Sequence, residues 1–78
     1  MKSWNVRILH KLHDNGEHEF FPAEVHYIDG FGKEPYGYGR FHASGDSVKD
    51  IVFFANELLS ACEKPILESS DLRKEYKP

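Results

Sequence analysis

The chain has 78 residues, with 10 Lys and Arg against 13 Asp and Glu, a net charge of −3. That length supports one small domain, which buries only about 60% of the surface its unfolded form exposes. The acidic balance argues against non-specific nucleic-acid binding, which leaves a basic footprint. A single cysteine, Cys62, excludes an internal disulfide and fits a reducing compartment. No apolar run is long enough to span a bilayer, and Met1-Lys2-Ser3-Trp4 does not open a signal peptide. The expectation is a cytoplasmic protein with no membrane attachment.

In chain order, the first landmark is Asn15-Gly16. Asn-Gly is the strongest short-range hairpin signal and favours a two-residue type I′ turn. Centred there, the strand from about Ser3 to His13 pairs with that from about His18 to Asp29. His13 then opposes His18, Arg7 opposes Glu24 and Trp4 opposes Tyr27. One face collects Trp4, Val6, Ile8, Phe21, Ala23, Val25 and Tyr27, and the other carries Asn5, Arg7, Lys11, Glu24 and His26. Pro22 cannot donate to a ladder and tends to sit at edges or bulges; it lies early in the second strand, where local bulging is tolerable. Residues 29–35 have loop composition, and a third strand from Tyr36 to about His42 returns antiparallel to the second.

The period then becomes helical. Ser47 is placed as a cap, with Asp50 reaching back from three residues on. Val48, Ile51, Val52, Ala55, Leu58, Leu59 and Cys62 fall on one side at 100° per residue, a stripe expected to pack on the sheet. Pro65 stops the helix, and Ser69-Ser70-Asp71-Leu72 can cap one more short helical turn. The expected fold class is α+β: a three-stranded antiparallel meander, β-β-β-α, with one helix on one face. Residues 1–67 would form the domain and 68–78 a C-terminal tail.

Phe20-Phe21-Pro22-Ala23-Glu24-Val25-His26-Tyr27-Ile28-Asp29, then Pro35 and Gly37-Tyr38, Gly45-Asp46-Ser47, and Lys64-Pro65-Ile66-Leu67 together resemble a group of short, uncharacterised bacterial proteins. Those proteins share a Glu-Val-x-Tyr strand, an Asp-x-x-Gly-x-Pro loop and a Lys-Pro-x-Leu ending. Here the loop is longer than the pattern, and His26 stands where an aromatic is usual. More distantly, the element order is similar to the partial RNase-H-like fold of HicB-type antitoxins, without their DNA-binding extension. The resemblance implies a fold and carries no activity.

Chemical signatures are few. His13 and His18 across the hairpin, beside Asp14 and Glu17, could share an ion, but zinc sites want three or four protein ligands. His10, His26 and His42 are scattered, so no metal and no cofactor is expected. Cys62 lies in the helix's apolar stripe, where a thiol is a small inert core residue. Gly30-Phe31-Gly32 and Gly37-Tyr38-Gly39 do not open a helix as phosphate-binding loops do. Arg7 and Glu24 read as an exposed cross-strand ion pair. No catalytic residue is assigned.

What is left is apolar and aromatic surface. Phe53 falls on the helix's polar side, Leu9 and Phe20 lie on the sheet face left uncovered, and Tyr36, Tyr38 and Arg40 share one face of the third strand. Clustered exposed aromatics mark interfaces more often than not. These six residues are the candidate partner-binding set for a small non-enzymatic interaction or regulatory module, with another protein or a second copy as partner. An alternative is single-stranded nucleic-acid binding on Tyr36, Tyr38, Phe31 and Arg40, aided by Lys33. A histidine-dependent metal-binding protein comes third.

Overall fold

A computed structural model describes residues 2–28 and 34–76. The chain forms β1 (Lys2–Leu12), β2 (His18–Ile28), β3 (Pro35–Arg40), α1 (Val48–Ala61), β4 (Leu67–Glu68), a 3₁₀ turn (Ser69–Asp71) and β5 (Lys74–Tyr76). The sheet is five-stranded and mixed, in the order β4-β1-β2-β3-β5. β1, β2 and β3 are antiparallel neighbours, while β4 runs parallel to β1 and β5 parallel to β3. This overturns the expected three-stranded antiparallel meander, β-β-β-α: the sheet has five strands and is mixed, with the three antiparallel strands at its centre. Its two edge strands come from residues 67–76, whose two- and three-residue strands are too short to show any periodicity.

The hairpin differs by one residue from its expected register. Leu12 opposes His18, Leu9 opposes Phe21 and Trp4 opposes His26. At the tip the Gly16 N–H donates to His13 O at 2.9 Å and the His13 N–H to Glu17 O at 2.8 Å. Gly16 has φ +89°, so the loop is a three-residue turn closed by a left-handed glycine rather than a two-residue type I′ turn. The Asn15 side chain supports it, accepting from the Glu17 N–H at 3.0 Å. Because side chains alternate, this single extra residue turns β1 over relative to β2. Arg7 accordingly faces Ala23, not Glu24. Its guanidinium instead donates to Pro65 O at 2.7 Å and to the Tyr27 hydroxyl at 3.4 Å.

One sheet face holds the larger core cluster: Leu9, Phe21, Ala23, Val25 and Tyr38 are buried together, with Tyr27, Leu67 and Leu72 packed on them, while Val6 and Ala61 are buried apart from it. Leu67 arrives as the β4 partner of Leu9, and Leu72 follows the 3₁₀ turn, where the Arg73 N–H bonds Tyr36 O at 2.8 Å. The C-terminal segment thus covers this face on its way from one edge of the sheet to the other. The opposite face carries Trp4, Val6, Ile8, His10, Phe20, Pro22, Glu24 and His26. Helix α1 lies on that side. Phe41 follows Arg40, whose guanidinium sits 4.2 Å over the Phe21 ring on the core face, so alternation turns Phe41 the other way. There it meets Phe54 edge-on at 5.7 Å.

Pro22 pairs with Ile8 without a bulge; the irregularity lies between His26 and Tyr27. The Phe41 N–H donates to Pro22 O at 3.1 Å, and the return bond that a proline cannot make falls where β3 ends. Gly37 and Gly39 in β3 make room for β5. A Cβ on Gly37 would meet Tyr76 Cε2 at 2.6 Å and Lys74 O at 2.9 Å.

Helix α1 starts where expected, with Ser47 extended before it. The Ser47 hydroxyl makes no cap bond; Asp50 Oδ2 accepts from the Asp46 N–H at 2.8 Å instead, which ties the first turn to the loop. The helix's orientation is the largest departure from expectation. Ala61 is its one buried residue, with Phe54, Glu57, Leu58 and Ser60 partly covered. Phe54, Glu57, Leu58 and Ala61 are spaced i, i+3, i+4, i+7, one face of a helix, and that face differs from the apolar stripe by roughly a quarter-turn.

Candidate functional site

Turning the helix leaves most of its apolar stripe in solvent. Val48 is 76% exposed, Leu59 65%, Val52 52% and Ile51 42%; Ala55 and Cys62 are exposed as well. Of the seven stripe residues, Leu58 alone is partly covered. Lys49, Asn56 and Glu63 flank the stripe on the solvent side, all exposed. Small soluble domains rarely leave a contiguous apolar row of this length uncovered. Cys62, expected in the core, is a surface thiol for the same reason: the row that contains it does not face the sheet.

The six residues singled out from sequence separate under the structure. Leu9, expected on an uncovered face, is 0% exposed at the centre of the core. The one-residue register change puts it on the same side as Phe21. Tyr38 is also buried, and burial raises its hydroxyl above the ordinary tyrosine range, with Glu75 adding to the effect. Tyr36 is partly buried. Arg40 is held rather than free: besides covering Phe21, it donates to both carboxylate oxygens of Glu19, at 3.0 and 3.3 Å. Phe20 is 61% exposed on the helix side of the sheet, beside His10 at 4.9 Å. Phe53 is half exposed and leans edge-on against Phe54 at 5.3 Å. Phe31 and Lys33 lie outside the described residues.

The histidines form two separate arrangements. His13 does not face His18; its Nε2 pairs with Glu19 Oε1 at 2.8 Å. Glu19 thus bridges Arg40 and His13, and those hydrogen bonds, Arg40's first, lower its carboxyl to about 2. His10 Nδ1 meets the Glu68 carboxylate at 2.8 Å, and His10 Nε2 meets His18 Nδ1 at 2.8 Å. A carboxylate only accepts, so with neutral rings His10 donates from Nδ1 and accepts at Nε2 from His18. This is a linear relay across β4, β1 and β2, and its donor atoms do not converge on a point. Among the described residues, no group of three or more His, Cys, Asp or Glu could hold a metal ion.

Sequence reasoning found the residues of the exposed row and assigned them to the wrong neighbour. Periodicity shows that a helix has an apolar side; it does not say what that side meets. Among the described residues, no helix is long and apolar enough to cross a membrane. No protein-family model, curated protein or solved structure matches this chain.

Proposed function

We propose that the protein is a non-enzymatic interaction module that self-associates through the outer face of α1. The observation that carries this reading is the solvent-facing row Val48, Val52, Ala55 and Leu59, with Ile51 beside it. Covering such a row removes apolar surface from water at roughly 25 cal/mol per Å². The helix is about 21 Å long at 1.5 Å per residue, so a contact along it alone is smaller than a standard interface. The association belongs to the weak, concentration-dependent class.

The nucleic-acid reading loses support from the same description: Tyr38 is core and Arg40 is engaged by Glu19 and Phe21. Sedimentation equilibrium across a concentration series tests the proposal. Wild type is expected to pass from monomer to dimer in about the micromolar range, and Val52→Asp to stay monomeric with an unchanged circular-dichroism spectrum. A wild type that remains monomeric at millimolar concentration would overturn it.

A further inference from the structure

The spacing within the exposed row specifies more than stickiness. Val48, Val52, Ala55, Leu59 and Cys62 are separated by four, three, four and three residues, the alternation of a coiled-coil seam. Ile51 and Leu58 flank the seam on the sheet side, and Lys49, Asn56 and Glu63 flank it on the solvent side. Glu63 follows the C-cap Cys62 in a tightened turn, its N–H bonding Ser60 O at 3.1 Å. The seam has its midpoint at Ala55, the smallest residue in it.

From this pattern we infer that two copies pair antiparallel, α1 against α1, about a two-fold axis at Ala55. The inference rests on the self-association proposed above and assigns its geometry. About that axis Val48 meets the partner's Cys62, Val52 meets the partner's Leu59, and Ala55 meets its own copy at the closest approach of the helices. On the solvent flank Lys49 comes opposite the partner's Glu63, twice by symmetry, and Asn56 opposes Asn56. Lys49 lies in the first turn of its own helix, the unfavourable end for a cation. Antiparallel pairing sets it beside the partner's C-terminal end, where a positive charge is favoured. A parallel pair offers neither match: it brings like helix ends together and places the two Cys62 thiols at the same level of the seam.

Cysteine cross-linking and a charge swap test the geometry. Ala55→Cys in a Cys62→Ser background is expected to form a covalent dimer under mild oxidation, while native Cys62 does not. Lys49→Glu and Glu63→Lys, each placing like charges in contact twice per dimer, should each weaken the dimer roughly tenfold. The double variant should recover most of that loss. Cross-linking through Cys62 with none at residue 55, or a double variant no tighter than the singles, would overturn the antiparallel arrangement. In either case a wild type that still dimerises would leave self-association standing, so the two failures are distinguishable.

Discussion

At the scale of single residues, the positions that matter most are those where one atom more or less changes a contact. Gly37 is such a position, because a methyl group there would strike both the Tyr76 ring and the Lys74 carbonyl. Gly37→Ala is expected to cost about 1–3 kcal/mol and to release the edge strand. Amide exchange should then show lost protection at residues 74–76 ahead of the rest of the sheet. Leu9, with no exposed surface, should cost about 2–5 kcal/mol when cut to alanine, read by urea denaturation. Glu19 contributes acid sensitivity. Its carboxyl is held at about 2 against an ordinary 4.5, so the folded state binds the proton less readily than the unfolded chain. The resulting stabilisation is fully present above pH 4.5 and is lost as the pH falls through about 2. Glu19→Gln should flatten the fall in melting temperature over that range while leaving the neutral-pH fold intact.

At the scale of elements, the hairpin and the helix show what patterns can and cannot convey. Asn15-Gly16 locates the hairpin, but a two-residue and a three-residue loop satisfy the same pair of residues. Only the bonds at His13 and Gly16 distinguish them. The consequence reaches Leu9 and Arg7, each moved to the other side of the sheet. Helix α1 was legible in extent, from Ser47 onward, and illegible in rotation. Its inner face uses Phe54, Leu58 and Ala61, with Glu57 partly covered among them, and nothing in the spacing ranks that set above the more apolar one. β4 and β5 were not legible, because strands of two and three residues have no period to detect. An element-level prediction follows from the rotation. Phe53 lies off the seam against Phe54, so Phe53→Ala should leave the dimer's Kd within about twofold, whereas Leu59→Asp should abolish association without unfolding the monomer. Light scattering and thermal melts on the same samples check both halves.

At the scale of the whole molecule, residues 67–76 touch both borders of the sheet and contribute Leu67 and Leu72 to its core. A chain ended after residue 66 should therefore lose more than an edge. It is expected to lack a cooperative melting transition, or to melt far lower, and to bind a hydrophobic dye through the uncovered Leu9, Phe21 and Val25. The same arrangement bears on biosynthesis. β1 and β2 can pair as soon as they emerge, since a hairpin closes on a short loop, but their apolar side has no cover until residues 67–76 have been made. A nascent chain paused before that point presents an open, twisted ribbon with a greasy side, the kind of surface that chaperones hold and that neighbouring chains stick to. Substitutions that slow or weaken the final closure should therefore be felt first as lost soluble yield in the cell, before any change in the behaviour of the purified protein.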